Sequence, residues 1–182
     1  MRILIAVFLV GFTAPAVADD ITETLQSAID AYEDGDVQYA IDELDFARQM
    51  LLNLKTDSLG AFLPEPSDQW TREVSTEMGA GLAFMGGGVG AEAEYTSADG
   101  RYVKLVFMAD NPMVAQMSAM ISNAAAMGMS VERIGRQRFA IQDDQIMALI
   151  GNRVLVQGEG DLEEARVLLA TIDFGELSKF GL

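Results

Sequence analysis

Apolar residues recur at helical spacing once the chain has passed its first twenty residues. From Ile21 to about Lys55 they return every three or four positions, and Gly35, which stands between two aspartates, interrupts the run. Asp20 or Thr22 is suited to cap the first segment. The pattern predicts two helices joined by a tight acidic turn, an αα-hairpin over residues 19–63. The apolar positions that define it are Leu25, Ala28, Ile29, Tyr32, Val37, Ala40, Ile41, Leu44, Ala47, Leu51 and Leu54.

Two nearby prolines, Pro64 and Pro66, mark a change of pattern. They do not fit inside a helix or a central strand, so a domain boundary is predicted before residue 64. A helix is predicted to begin at Pro112 with Asn111 as its N-cap and to run to about residue 127, where Gly128 ends it. Another helix is predicted over residues 161–171. Residues 64–182 are thus predicted to form an antiparallel sheet packed with two helices, which makes the chain an α+β protein. The predicted strands are residues 70–78, 92–96, 102–108, 131–134, 138–142, 145–150 and 153–157.

Residues 1–18 have the pattern of a secretory signal peptide. Arg2 supplies a positive charge, residues 3–12 form an apolar run, and Ala16-Val17-Ala18 is a signal-peptidase pattern. The apolar run is about half of the ~20 residues that a membrane-spanning helix needs. The sequence therefore predicts cleavage after Ala18 and a soluble protein in a bacterial periplasm.

Composition narrows the range of functions. The 182 residues include 28 Asp and Glu against 12 Lys and Arg, a formal net charge of −16, and they include no His and no Cys. An imidazole base, a Ser-His-Asp triad, a disulfide and a zinc site of His or Cys are therefore excluded. The negative charge argues against binding to nucleic acid or to an anionic membrane surface.

The acidic turn has a counterpart in a known repeat. Residues 32–37, with Ala40, Leu44 and Ala47, resemble the turn and second helix of a tetratricopeptide repeat. No second copy is present, and a solenoid needs about three repeats to bury its faces. The resemblance implies a single hairpin with repeat-like packing, in which Asp34, Gly35 and Asp36 are candidates for binding a partner.

A longer resemblance covers nearly all of the chain after the leader. Residues 59–66, Trp70, the glycine-rich segment that follows, and residues 133–138 and 151–156 resemble a family of exported bacterial proteins without an assigned activity. The resemblance implies a helical hairpin followed by an α+β domain. The order of elements after Trp70 is also similar to the photosystem PsbP-type fold, whose members often serve as accessory subunits. That similarity implies a binding role and no catalysis.

Methionine is the most unusual component. Met113, Met117 and Met120 lie at positions i, i+4 and i+7, hence on one helix face. The stripe is interpreted as the buried face of an amphipathic helix, because Met often fills irregular cores. Two alternatives stay open, a Cu(I) site built from thioethers and an adaptable apolar groove.

The glycine-rich segment contains Gly86, Gly87 and Gly88. A phosphate-binding loop is disfavoured, because no Lys is near and Glu92 and Glu94 would repel phosphate. The glycines are interpreted as a strand with bulges or as a close approach of backbone to another element, and the alternative is a mobile sheet edge that orders against a partner.

Other polar and aromatic residues give weaker signals. Asp143-Asp144 and the acidic turn lack the ligand spacing of a calcium loop, and both are interpreted as turns. Trp70 and Tyr95 are candidates for lining a ligand site, but a lone Trp at the start of a strand is more simply interpreted as a core anchor. No pair of carboxylates among the 28 acids can be singled out as catalytic.

Arg133, Arg136 and Arg138 form a basic cluster in an acidic chain. The period of a strand predicts that Arg136 and Arg138 share one face. Pairing with the domain's own acids is the simpler expectation, and contact with an anionic patch on a partner is the alternative.

These features together favour a non-enzymatic periplasmic interaction module, without a cofactor, that binds a protein partner through the hairpin or the sheet edge. A carrier of a small apolar ligand, held between the sheet and the Met-bearing helix, is the alternative. A Met-based Cu(I) handler and a carboxylate-using hydrolase follow in that order.

Overall fold

The computed structural model describes residues 16–75, 78, 81–82 and 87–181, and side chains from residue 19 onward. The chain divides into two compact units, Met1–Leu51 and Leu52–Leu182. The predicted α+β class is confirmed, since two N-terminal helices precede a seven-stranded antiparallel sheet with helices packed on it. The predicted signal peptide falls almost entirely outside the described residues.

The predicted helical hairpin is present. Helix α1 (Ala16–Glu33) begins before the predicted caps, and helix α2 (Val37–Gly60) extends past residue 55 into the second unit. Gly35 turns the chain in the left-handed region at φ +85°, where glycine meets no Cβ penalty. The Asp36 carboxylate then accepts a hydrogen bond from the backbone N–H of Tyr39 at 3.1 Å and so caps α2.

The second unit is built on one sheet with the strand order β1-β2-β3-β7-β6-β5-β4, and every neighbouring pair is antiparallel. The strands are β1 (Trp70–Ser75), β2 (Val89–Ser97), β3 (Tyr102–Ala109), β4 (Ser130–Ile134), β5 (Gln137–Gln142), β6 (Gln145–Ile150) and β7 (Val154–Gly160). The helical elements are α3 (Pro112–Ser122), a 3₁₀ turn η1 (Ala124–Met127), α4 (Leu162–Ala170) and α5 (Phe174–Leu177).

Each face of the sheet contacts helices. One face carries the main core, in which side chains such as Phe107 and Phe139 are fully buried with residues of α4, α5 and the end of α2. Leu59 and Leu63 belong to this core, so the residues just before the prolines pack on the sheet. On the other face, α3 lies over Met108 and Leu155.

Two helical predictions need correction. The helix predicted over residues 111–127 ends at Ser122, where the Asn123 side-chain amide donates to the Ala119 carbonyl at 2.8 Å and competes with backbone bonding. A 3₁₀ turn follows and ends at Gly128, the predicted terminator, at φ +82°. The short helix α5, capped by the Asp173 carboxylate, was not predicted. The predicted N-cap Asn111 is confirmed, since its side chain accepts from the Met113 N–H.

Trp70 is a buried core residue, as interpreted from the sequence, and Tyr95 is buried in the same core. The Tyr95 hydroxyl donates to the Pro64 carbonyl at 2.6 Å, and the Arg72 guanidinium donates to the carbonyls of Leu63 and Pro64. These bonds attach the proline-containing segment to the sheet. Burial is the main cause that raises the pKa of Tyr95 to about 12.

Tyr95→Phe is expected to cost about 1 kcal/mol of stability near neutral pH, because it removes a buried hydrogen bond. In the native chain the pKa of about 12 lies above the unfolded value of 10.0, so the unfolded state loses its proton first. The free energy of unfolding of the wild type therefore falls between pH 10 and 12, by up to about 2.7 kcal/mol. Tyr95→Phe removes this pH dependence, because Phe has no ionisable hydroxyl. Urea unfolding of both proteins from pH 8 to 11.5 measures it. A constant difference between them would contradict the prediction.

Candidate functional sites

The hairpin buries its alanines and exposes most of its large apolar side chains. Ala28, Ala40 and Ala47 are buried, while Tyr32 is 70% exposed and Leu44 is 52% exposed. Large apolar side chains normally supply most of the stabilisation that comes from burial. Because the hairpin exposes these side chains, they contribute little to a core within this unit. The large apolar residues exposed in this unit are Leu25, Ile29, Tyr32, Val37, Tyr39, Ile41, Leu44, Phe46 and Leu51.

Five of these exposed residues line one groove along the two helices, here called the hairpin groove. Its volume is about 350 Å³, and its lining is almost wholly apolar. Val37, Ile41 and Leu44 lie at i, i+4 and i+7 on α2, and Ile29 and Tyr32 lie on α1 opposite them. Glu33 contributes an acid to the lining. The groove can therefore accommodate an apolar surface of complementary shape.

The sequence indicated these apolar positions as those that define the hairpin, without separating the buried from the exposed ones. The signal that distinguishes them is the spacing of alanines. Ala28 and Ala40 are buried, whereas Ile29 and Ile41, one residue further along, are exposed in the hairpin groove. A helix with two apolar faces has more apolar surface than a hairpin can bury.

The candidate residues of the acidic turn lie between the two helices. Gly35 and Asp36 have structural roles there, one as the left-handed residue and one as the cap of α2. Asp34 is exposed, and with Asp36 it lines a shallow acidic surface that also includes Glu23 and Asp30. The turn therefore contributes negative charge to the end of the hairpin.

Gly87 and Gly88 support the start of α3, whereas Gly86 lies outside the described residues. The Asn111 side-chain amide donates to the Gly87 carbonyl at 2.6 Å. A Cβ on Gly88 would lie 2.8 Å from the Asn111 Cβ and 2.9 Å from the Ala109 carbonyl oxygen. The backbone approach inferred from the sequence is thus present, and Gly88 is buried.

The methionine stripe does not share one environment. Met117 and Met120 are half-buried against the sheet, where they pack with Ile121. Met113 is 42% exposed, and Val114 is the buried residue of the first turns of α3. In the part of the chain that the structure describes, no group of three or more carboxylates stands in a metal-binding arrangement.

The arginine cluster is arranged differently from the prediction. Arg136 lies in the two-residue turn between β4 and β5, after Gly135 at φ +58°, so it does not share a strand face with Arg138. Arg133 and Arg138 instead stand directly opposite each other on β4 and β5. The prediction failed because it placed residues 136–138 on one strand, whereas the chain reverses there.

None of these three arginines forms an ion pair with an acid among the described residues. The expected pairing with the domain's own acids is therefore not seen in that part of the chain, and all three side chains are exposed. Every other cation of the second unit is paired: Lys55, Arg72, Arg101, Lys104, Arg153, Arg166 and Lys179.

Arg138 lines a second groove, here called the basic groove, between the η1 turn and strands β4 to β6. Its volume is about 360 Å³. The apolar part of its lining includes Ile121, Val131 and Leu149, and Asn152 lies beside them in the β6–β7 turn. The sequence did not indicate this groove, because its lining comes from four segments that are separated along the chain.

No family model, curated protein or solved structure matches this chain. The resemblances to the tetratricopeptide repeat, to the exported bacterial family and to the PsbP-type fold therefore stay predictions. Within the described ranges, no helix has both the length and the apolar character required to cross a membrane.

Proposed function

We propose that this protein is an exported, non-enzymatic interaction module whose helical hairpin binds a protein partner. The observation that carries the proposal is the hairpin groove, in which large apolar side chains from both helices are exposed together. Contiguous apolar surfaces of this kind typically mark interaction sites, because exposing them to water is unfavourable.

The shape of the groove favours an amphipathic helix as the occupant. The groove runs along two helices, with the buried Ala28 and Ala40 in its lining beside exposed large side chains. A third helix inserts its own i, i+3, i+4 and i+7 side chains into a groove of this kind. The resemblance to a tetratricopeptide repeat supports this mode of packing, since a repeat hairpin buries its remaining face against the next helix.

Charge favours a basic partner. Glu33 lies in the groove, and Asp34 and Asp36 stand at the turn end of the hairpin. The net charge of −16 adds a long-range attraction for cations. Lys or Arg residues flanking the apolar face of the partner helix would meet these acids, which increases the association rate and sets the orientation.

The packing of α3 favours the module over a carrier that holds its ligand beneath this helix. Val114, Met117 and Ile121 contact Met108 and Leu155 of the sheet, so the side chains of α3 occupy that interface themselves. The periplasmic location rests on the predicted signal peptide, residues 1–18.

Site-specific photocrosslinking in the native cell envelope tests the proposal. A benzoylphenylalanine at position 41, inside the hairpin groove, is expected to yield one recurrent protein adduct. The same group at position 46 is the matched control, because Phe46 is 59% exposed on α2 but does not line the groove. Equal adducts from both positions would contradict a specific groove.

The partner identified in this way is then measured with purified proteins. Ile41→Glu is expected to weaken binding at least tenfold, because it places a charge in the apolar interface. Phe46→Glu is expected to change the affinity less than twofold. Binding of the Ile41→Glu protein at wild-type strength would exclude the hairpin groove as the docking surface.

A further inference from the structure

From the basic groove we infer a second binding site, for a small aliphatic carboxylate, that is independent of the hairpin groove. The groove combines an apolar wall, formed by residues such as Ile121, Val131 and Leu149, with the guanidinium-bearing residue Arg138. A molecule with a hydrocarbon body and one anionic head matches that combination. The volume of about 360 Å³ lies at the small end of the range of ligand-binding cavities, which is sufficient for a small molecule.

The charge distribution around the basic groove favours a bound anion. Arg133 and Arg138 are directly opposite on neighbouring strands, and like charges in that position repel each other. In the described part of the chain no acid neutralises them, although acids outnumber bases 28 to 12 in the whole sequence. The nearest strand acid in the register, Glu132, instead pairs with Arg166 at 2.8 Å. A bound carboxylate would relieve the repulsion between the two arginines, because it supplies the negative charge that no acid of the described chain provides there.

Arginine is also suited to the head group. Its planar guanidinium presents paired N–H donors that match the two oxygens of a carboxylate. Arg138 lines the groove itself, whereas Arg133 adds positive charge from the opposite strand. Arg136, in the turn, extends the positive region toward solvent and assists the approach of the anion.

The apolar wall determines which anions bind. Val131 and Leu149 belong to the face of the sheet that carries Arg138, and the η1 turn forms the other side. A hydrocarbon chain lying against these side chains is removed from water, which stabilises the complex. Inorganic phosphate and acetate gain little in this way, because they have little or no apolar surface to bury. The site should therefore prefer octanoate to acetate, and octanoate to octanol.

Titration of the full mature protein with these three compounds tests the inference. Amide and methyl NMR signals report the location, and octanoate is expected to shift the signals of Val131, Leu149 and residues 121–126. Octanoate is expected to bind at least tenfold more tightly than either acetate or octanol. Equal affinity for octanol would overturn recognition of the charge, and equal affinity for acetate would overturn recognition of the chain.

Three variants locate the head group. Arg138→Gln is expected to weaken octanoate binding at least tenfold, and Arg138→Lys to recover most of that loss because it restores the positive charge. Arg48→Gln is the matched control, since Arg48 is an exposed arginine of the first unit without an ion pair in the described residues. An equal loss in Arg48→Gln, or wild-type affinity in Arg138→Gln, would overturn the assignment. Neither result bears on partner binding by the hairpin groove.

Discussion

Gly160→Ala is expected to lower the free energy of unfolding by about 4 kcal/mol, which is a large part of the stability of a typical domain. Gly160 ends β7 at φ +104°, a conformation that side-chain-bearing residues rarely adopt. A Cβ there would also overlap the Tyr102 carbonyl oxygen. That oxygen cannot simply move away, because it accepts a hydrogen bond from the Asp161 N–H at 2.9 Å.

Gly100→Ala separates the two causes of this loss. Gly100 has a similar positive φ of +87°, but a Cβ there would meet no atom within 4 Å. Gly100→Ala is expected to lower the free energy of unfolding by only about 1 kcal/mol, which reflects the backbone conformation alone. Urea unfolding followed by circular dichroism measures both variants. Equal losses at the two positions would show that the contact with Tyr102 has no effect.

Local signals in the sequence predicted the second unit well. Asn111-Pro112 starts α3, Gly128 ends the 3₁₀ turn after it, and Asp161 caps α4. Each of these residues acts through bonds to its immediate neighbours or through its own backbone conformation, so a single sequence is sufficient to interpret it. The alternation of apolar residues located the strands for the same reason.

Features that depend on distant residues could not be predicted in this way. The pairing of β3 with β7 joins Phe107 to Val156, and no pattern within either strand specifies that partner. The end of α3 at Asn123 is also decided by competition between one side-chain amide and the backbone. The two-residue turn at Gly135 changed the face on which Arg136 was expected.

The candidate sites were even less accessible to prediction, because exposure is a property of the assembled structure. Ile41 and Ala40 are adjacent apolar residues of α2, yet Ala40 is buried and Ile41 is exposed. Likewise, Arg153 lies just before β7 and Arg138 lies on β5, but only Arg153 has an acid, Asp110, within ion-pair distance in the described residues.

The sheet core provides the second large effect. Phe139→Ala is expected to cost about 4 kcal/mol, because it removes a fully buried ring and leaves a cavity between the sheet and the helices. The Phe139 ring packs against Phe174 of α5, with centroids 5.7 Å apart. The loss of this contact should also make residues near α5 the first to gain amide exchange, since α5 is only four residues long.

Phe46→Ala is the matched control for burial, because the same ring is removed from an exposed position on α2. It is expected to change the free energy of unfolding by less than about 0.5 kcal/mol. Phe139→Leu, which keeps much of the apolar volume, should cost about 1.5 kcal/mol. Denaturant unfolding of the three variants gives the order Phe46→Ala, Phe139→Leu, Phe139→Ala. If Phe139→Ala were no worse than Phe46→Ala, β5 would not be anchored in the main core, and the wall of the basic groove that β5 forms would lack its support.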